Sequence, residues 1–235
     1  MVAGEEYLAA ITVLESDRRA RVAFQDLVLR TAAPGGCIFD FGAGPGIDAK
    51  VYAARGFRVV AYDVDPRMCA AFGRLCSDEI ASGQISLCQG DYREFIDGHL
   101  PALARQGDIA LVTANFAPLS LIAEPHELFA GLHALGGAGT KFIASVLNPN
   151  FVGDLRYGWW WANRLEYWRR GCFGITGTGP SVYRRSLRNF ADLAAPHFKL
   201  ERVLRGLPGA ASSKTNATGL QLLTSRYLFL VFAKR

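Results

Sequence analysis

The stretch FDFGAGPGIDA, residues 39–49, indicates most about the fold, because its three glycines fall within five positions directly after an apolar run and an acid. Such a run predicts a short buried strand, and the residues after the turn have helical spacing. The N-terminus of a helix carries unpaired N–H groups that attract anions. Gly42, Gly44 and Gly46 therefore predict a turn whose backbone approaches an anionic group of a ligand.

Three kinds of cofactor fit a glycine-rich turn, and the spacing distinguishes among them. A P-loop needs Lys and then Ser or Thr directly after its last glycine, whereas Lys50 stands four residues beyond Gly46 with no hydroxyl after it. A dinucleotide turn needs a small residue where this chain has Ile47. The pattern that fits is D-x-G-x-G-x-G, which begins at Asp40.

Strand and helix signals alternate from this turn to residue 148, which predicts an α/β fold with a doubly wound, mostly parallel sheet. Ligands of such sheets bind at the carboxyl ends of the strands. Before the turn, residues 5–31 predict a leading helix with a break near Ser16 and Asp17. The predicted strands are CIFDF, FRVVAYDVD, ISLCQGD, DIALVTANF and TKFIASVLNP; the helices between them are GIDAKVYAARG, PRMCAAFGRLCSDEIASG, YREFIDGHLPALARQG with a proline interruption, and EPHELFAGLHALGG.

The glycine pattern resembles that of the class I S-adenosylmethionine-dependent methyltransferases over residues 38–148. In that family, acids at the ends of the second and third strands match Asp63 and Asp91. The resemblance implies a Rossmann-like methyltransferase fold and S-adenosyl-L-methionine as the cofactor. The cofactor-binding residues that it implies are Asp40, Phe41, Gly42, Ala43, Gly44, Gly46, Asp63, Val64, Asp91, Tyr92, Asn115 and Phe116.

Each part of this cofactor has a partner under the resemblance. The glycine turn takes its carboxylate, Asp63 takes both ribose hydroxyls, and Asp91 with Tyr92 takes the adenine. Asn115 and Phe116 end the fourth strand and face the methyl donor. The cofactor has no phosphate, which agrees with the absence of Lys and Arg between positions 39 and 49.

The resemblance also implies seven strands, the last two forming an antiparallel hairpin from FKLERVLRG and RYLFLVFAKR. We expect a single methyltransferase domain over residues 1–235, with an N-terminal helical segment at 1–34. Residues 149–196, between strands five and six, match nothing in the family pattern. We expect this insertion to act as a lid over the substrate.

The insertion contains RYGWWWANRLEYWRRG, in which aromatic residues recur at helical spacing. We expect one aromatic stripe on one helix, which is either packed into the core or exposed to receive an apolar substrate. Ser186 is an expected N-cap of the helix that follows. The predicted substrate residues are Arg156, Tyr157, Trp160, Trp161 and Tyr183.

The charges are unevenly distributed along the chain. Residues 1–150 hold 12 basic and 17 acidic residues, residues 151–205 hold 10 and 4, and residues 206–235 hold 4 and none. This basic C-terminal part is either a solvated face or the binding site of an anionic partner. Candidate partners are a carboxylate or phosphate substrate, an acyl carrier, a membrane surface and nucleic acid.

These features predict a methyltransferase that modifies an oxygen or nitrogen of an apolar, aromatic or acyl small molecule with an anionic end. His126 is the predicted general base, and its alternative role is in the first turn of a helix. The fourth-strand motif NFAPLS lacks the Asn/Asp-Pro-Pro-aromatic loop of nucleic-acid amino methyltransferases, which disfavours nucleic acid. An RNA-modifying enzyme and a non-catalytic cofactor-binding protein remain as alternatives, and a homo-oligomer stays open.

Cysteine spacing and the N-terminus indicate the compartment. The five cysteines form an odd set without a CxxC pair, which favours reduced thiols and no metal site. The first ten residues lack the basic start and apolar run of a secretory leader. We therefore expect a cytoplasmic enzyme of small-molecule biosynthesis.

Overall fold

A computed structural model describes residues 15–106, 109–175, 181–213 and 216–235. The large sheet confirms the predicted fold, including its antiparallel C-terminal hairpin. Its strands are β1 (Cys37–Phe41), β2 (Arg58–Asp63), β3 (Ile85–Gln89), β4 (Ile109–Ala114), β5 (Lys141–Leu147), β8 (Phe198–Arg205) and β9 (Tyr227–Lys234). The seven strands have the order β3-β2-β1-β4-β5-β9-β8, and β9 runs in the direction opposite to the other six.

Helices cover both faces of this sheet because successive strand residues point to opposite sides. The helices are α1 (Glu15–Thr31), α2 (Ile47–Ala53), α3 (Pro66–Leu75), α4 (Ser77–Ala81), α5 (Tyr92–Glu94), α6 (Leu100–Gln106), α7 (His126–Ala134), α8 (Gly158–Ala162), α9 (Arg164–Arg170), α10 (Leu187–Ala194) and α11 (Leu220–Leu223). Ile38 packs with α1, α2 and α3, whereas its neighbour Phe39 packs with α6, α7 and α10.

Of two predicted helices, the first is described only in part and the second differs from the structure. The first runs from Glu15 through Ser16 and Asp17 in the described chain, whereas its residues 5–14 lie outside the described part, so the break near Ser16 and Asp17 stays a prediction. The second, predicted as one helix after β2, is divided at Cys76, where φ is −110° and ψ is 25°. The Cys76 side chain is buried against the glycine turn, with its sulfur 3.6 Å from the carbonyl oxygen of Gly46. This contact accompanies the change in helix direction.

The proline interruption predicted after β3 is a π-turn over Phe95–His99, between α5 and α6. The N–H of Leu100 donates to the Phe95 carbonyl, five residues back. The next residue, Pro101, has no N–H to continue the normal helical pattern. The irregular turn therefore lies where the sequence removes a donor.

The insertion at 149–196 contains a second sheet that the sequence analysis missed. Its two strands, β6 (Cys172–Ile175) and β7 (Val182–Arg185), pair antiparallel. The hydroxyl of Ser186 accepts the N–H of Asn189, which confirms the predicted N-cap of α10. Short 3-10 turns occur at Pro118–Leu121, Val152–Arg156 and Ala210–Ser212. None of the helices described here is both long enough and apolar enough to cross a bilayer.

Candidate functional site

A cavity of about 870 Å³ opens at the carboxyl ends of β1, β2 and β4. Its walls come from the loops after these strands, from α1 and from the start of α7. This position is the usual ligand site of an open parallel sheet, where strand connections run to opposite faces. Most of the predicted cofactor residues line it: Phe41, Gly42, Ala43, Gly44, Asp63, Val64, Tyr92, Asn115 and Phe116.

The glycine turn is shaped by two close contacts and one open position. A Cβ on Gly42 would lie 2.7 Å from the Cβ of Pro118, and one on Gly46 would lie 2.8 Å from the ring of Phe72. A Cβ on Gly44 would meet no atom of the other described residues within 4 Å, its two chain neighbours apart. Gly42 and Gly46 thus permit close packing, while Gly44 faces open space at the cavity. Gly46 itself does not line the cavity within the described chain.

Asp63 is fixed at the end of β2 by backbone donors. Its Oδ2 accepts the N–H of Gly44 at 2.7 Å, and its Oδ1 accepts the N–H of Asp65 at 2.9 Å. Burial raises the pKa of Asp63, and these two hydrogen bonds oppose that rise. Each carboxylate oxygen keeps a second lone pair for a ligand. The side chain is therefore a preoriented acceptor beside the glycine turn.

The other two predicted acids do not line the cavity in the described structure. Asp91 is an exposed N-cap whose Oδ1 accepts the N–H groups of Arg93 and Glu94 at 2.8 and 2.9 Å. Asp40 lies in the protein interior and accepts the Thr113 hydroxyl at 2.8 Å. Burial, assisted by the nearby charge of Asp48, raises the pKa of Asp40 to about 7.

Tyr92 follows the Asp91 cap and does line the cavity. Desolvation, followed by the charge of Glu127, raises the pKa of Tyr92 to about 12. The phenol is therefore protonated at neutral pH. It offers the cavity a flat ring.

A network centred on Asp48 was missed by the sequence analysis. The buried Asp48 carboxylate accepts Arg21 at 2.8 Å, Gln25 at 2.6 Å and Asn115 at 2.9 Å. Arg21 and Asp48 line the cavity, so α1 contributes to the site. The available signal was the polar series Asp17, Arg21, Gln25 at intervals of four on a helix that otherwise buries apolar side chains.

The loop after β4 is conformationally unusual. Phe116 and Ala117 both have positive φ, 57° and 63°, which is uncommon for residues with a Cβ. The Asn115 Oδ1 accepts the Phe116 N–H at 2.8 Å, and the guanidinium of Arg21 lies 4.2 Å from the centroid of the Phe116 ring. Tyr227 contacts the same ring edge-on. These contacts hold the Phe116 ring at the cavity wall.

The remaining wall is mostly apolar and carries the candidate base. Pro118, Leu121, Ile122 and Ala123 line it, and His126 lies exposed at the first turn of α7. Among the described cavity residues, both arginines are engaged: Arg21 with Asp48, and Arg93 with Glu127. Glu124 lines the same wall and has no ion pair among the described residues.

Arg185 of the insertion fixes this apolar wall from behind. Its buried guanidinium donates to the carbonyls of Leu119, Ile122 and Ala123 at 3.2, 2.7 and 2.5 Å. Arg184 lies 3.2 Å from the Asp154 carboxylate and donates to the carbonyl of Asn148. Burial lowers the pKa of both arginines. Arg184 and Arg185 belong to the basic C-terminal part that was considered for an anionic partner, but both bind groups within the protein.

The predicted substrate residues of the insertion lie elsewhere. In the described structure none of them lines the cavity: Arg156, Tyr157, Trp160, Trp161 and Tyr183. The single aromatic helix is also wrong, because α8 ends and α9 begins at Asn163, where ψ is 2°. The Asn163 side chain donates to the carbonyl of Trp159 at 2.7 Å, and such local bonds interrupt helices.

Comparison with known proteins identifies related chains. A family model described as "Methyltransferase domain" matches residues 15–194. The ribosomal protein L11 methyltransferase of Pelotomaculum thermopropionicum is 34% identical over 93 residues, which are 39% of this chain and 30% of that protein. This chain therefore spans less than a third of that curated relative's length.

Solved structures share the fold at low sequence identity. A TehB-like SAM-dependent methyltransferase from Corynebacterium glutamicum is 17% identical, with a TM-score of 0.63 over 99% of this chain and 98% of that one. The 1,6-didemethyltoxoflavin-N1-methyltransferase of Burkholderia thailandensis, with bound 1,6-didemethyltoxoflavin and S-adenosylhomocysteine, is 18% identical. Its TM-score is 0.60 over 99% of this chain and 87% of that one.

Proposed function

The chain belongs to the methyltransferase domain family, which uses S-adenosyl-L-methionine, and we propose that it transfers a methyl group to a nitrogen or oxygen of a small molecule. The observation that carries this proposal is the cavity of about 870 Å³. It joins a glycine turn with a fixed carboxylate to an apolar wall that carries a histidine. The volume is sufficient for a cofactor together with a compact acceptor.

The first half of the cavity, formed by the glycine turn and Asp63, fits the chemistry of the cofactor. The open backbone at Gly44 suits its carboxylate, and the two free lone pairs of Asp63 suit the ribose hydroxyls. Val64 and the ring of Tyr92 offer apolar contact to the adenine. When bound, the cofactor supplies a methyl group activated by a sulfonium. Asp40, Gly46 and Asp91 support this half from outside the cavity, through core packing and helix capping.

The second half of the cavity, formed by the apolar wall and His126, would position the acceptor. Leu121, Ile122 and Ala123 exclude water from an apolar body, and Arg185 donates hydrogen bonds to the carbonyls of Ile122 and Ala123. Methyl transfer depends mainly on alignment, so a base is needed only for an acceptor that is protonated at working pH. We assign His126 to that task.

The cavity suits an acceptor whose polar end is a neutral or cationic nitrogen better than one whose polar end is an anion. The expectation of an anionic end rested on arginines of the insertion, which lie away from the cavity. The arginines at the cavity are already engaged by Asp48 and Glu127, whereas Glu124 is available to an ammonium group. We therefore favour an amine acceptor over a carboxylate or phosphate.

The alternatives gain no support from this site. Burial of Arg184 and Arg185 weakens the case for RNA, and the intact glycine turn argues against a cofactor-binding protein without catalysis. We propose a cytoplasmic enzyme of small-molecule biosynthesis, because an odd set of cysteines without a CxxC pair suits a reducing compartment. The lid role of residues 149–196 and a homo-oligomer stay predictions.

Labelled methyl transfer tests the proposal. The protein would be incubated with methyl-labelled cofactor and fractionated cell extract, and we expect the label in the small-molecule fraction. His126→Asn should lower kcat while leaving cofactor affinity, measured by calorimetry, within about twofold. His133→Asn is the matched control, because His133 lies on the same helix but contacts His197 and the chain end. Label in RNA or protein, or binding of NAD in preference to the cofactor, would overturn the proposal.

A further inference from the structure

The short helices α8 and α9 in the insertion have two contrasting faces. One face contacts the protein: the Trp160 indole N–H donates to the Pro149 carbonyl at 3.2 Å, and Tyr167 packs edge-on against Phe173. The other face carries Trp161, Leu165 and Trp168, whose exposed fractions are 62%, 60% and 76%. Large apolar side chains at such exposure are unusual when they recur together.

Leu165 and Trp168 are three positions apart and lie on one side of α9, and Trp161 lies near the end of α8, just before α9 begins. Backbone hydrogen bonds from Asn163 to Trp159 and from Tyr167 to Asn163 link the two helices across their junction. The Trp161 indole N–H donates to the Leu155 carbonyl at 2.9 Å, which brings the 40% exposed Leu155 beside it. We call Leu155, Trp161, Leu165 and Trp168 the aromatic patch.

Positive charge accompanies the aromatic patch. Arg169 and Arg170 follow Trp168 directly and are exposed. Arg170 has a solvent-exposed contact of 3.4 Å with Glu166, and Arg169 has no ion pair among the described residues. Arg156, next to Leu155 in sequence, is also exposed and stacks on Tyr157. The patch therefore combines apolar and cationic groups.

We propose that the aromatic patch docks on the surface of an anionic phospholipid membrane. Indole rings favour the boundary between headgroups and acyl chains, where the apolar ring is partly buried. Leucine gains from the same partial burial, and adjacent arginines attract anionic headgroups. No patch residue lines the cavity described above, so docking is independent of the proposed catalysis.

The composition favours lipid over the other occupants. Single-stranded nucleic acid binds through aromatic faces on which bases stack, whereas Leu155 and Leu165 have no such face. Trp161 packs edge-on against Trp160, with ring centroids 4.8 Å apart, which limits its access to a stacked base. A membrane surface needs no shape complementarity and accepts aliphatic and aromatic side chains alike.

Vesicle co-sedimentation of the full chain tests the proposal without any methyl donor. The probes are vesicles of phosphatidylcholine alone and of phosphatidylcholine with one third phosphatidylglycerol. We expect binding to the anionic vesicles with a blue shift of tryptophan emission. Trp161→Ser with Trp168→Ser should weaken binding roughly tenfold or more. Arg169→Gln with Arg170→Gln should also weaken it roughly tenfold, and added salt should mimic that loss.

Leu220→Ser is the matched control, because Leu220 is 80% exposed and lies outside the patch. It should bind like the unmodified protein. Leu165→Ser provides a second patch variant if the tryptophan pair lowers the melting temperature. Equal binding by patch variants and control, or no binding to anionic vesicles, would overturn the proposal. So would displacement by short single-stranded RNA at equal charge, or a dimer that the patch variants dissociate.

Discussion

The glycine turn and the insertion satisfy opposite kinds of backbone group with a buried charged side chain. At the glycine turn and in the loop after β2, the backbone presents N–H donors that a buried carboxylate satisfies: Asp63 accepts from Gly44 of the turn and from Asp65 of the loop. At the loop held by the insertion, the exposed groups are carbonyls, and a buried guanidinium satisfies them: Arg185 donates to three of them. The first arrangement leaves lone pairs of Asp63 free at the cavity, whereas the second uses its cation entirely within the protein. An acid or an arginine is therefore a binding residue only if the backbone leaves part of it free.

Removal of Arg185 should have the largest effect. Arg185→Met keeps the aliphatic stem but removes the buried guanidinium that donates to the carbonyls of Leu119, Ile122 and Ala123. We expect a loss of about 3–5 kcal/mol of unfolding free energy, measured by urea denaturation. Arg169→Met, an exposed control in the same insertion, should change it by less than about 0.5 kcal/mol. A loss below about 1 kcal/mol at position 185 would show that the wall does not depend on this side chain.

Asp40 should make stability depend on pH. Its folded-state pKa, about 7, lies above the unfolded value of 3.8, so between these values the folded protein keeps a proton that the unfolded chain has released. Its contribution to stability therefore falls as pH rises from about 4 to about 7, by up to about 1.4 kcal/mol per pH unit.

Unfolding of Asp40→Asn across this range tests that slope. The amide oxygen can still accept the Thr113 hydroxyl, and the side chain no longer titrates. The difference in stability between the variant and the unmodified protein should grow in favour of the variant as pH rises. A constant difference from pH 4 to pH 8 would mean that Asp40 titrates normally.

Substitutions of Asp63 and Asp91 should differ in their effect on cofactor binding. Asp63→Ala removes an acceptor at the cavity and should weaken cofactor binding by about 1.5–3 kcal/mol, measured by calorimetry. Asp91→Ala removes an exposed N-cap; it should cost about 1 kcal/mol of stability and leave cofactor affinity within about twofold. Equal losses of affinity for both variants would restore the role that the resemblance gave to Asp91.

The sequence predicted features of the backbone but not the partners of individual charged side chains. The glycine turn and the alternation of strands and helices were predictable because they depend on backbone geometry and on the period of apolar residues. The positions of Asp40 and Asp91 were not, because either acid can face a ligand, a hydroxyl or a helix end. Arg185 counted as free positive charge, since its three carbonyl partners lie more than sixty residues earlier in the chain.

Substitution of Trp161 should have the smallest effect, and it decides what the aromatic stripe does. A core residue of this size would cost about 3–5 kcal/mol on truncation to alanine, but Trp161 is mostly exposed and keeps only an edge contact and one hydrogen bond. We expect Trp161→Ala to change the melting temperature by no more than about 2 °C, and to leave cofactor affinity and the KM for a soluble acceptor unchanged. A raised KM with an unchanged melting temperature would instead indicate that the insertion reaches the acceptor in solution, as a lid does. A large fall in melting temperature would indicate ordinary core packing.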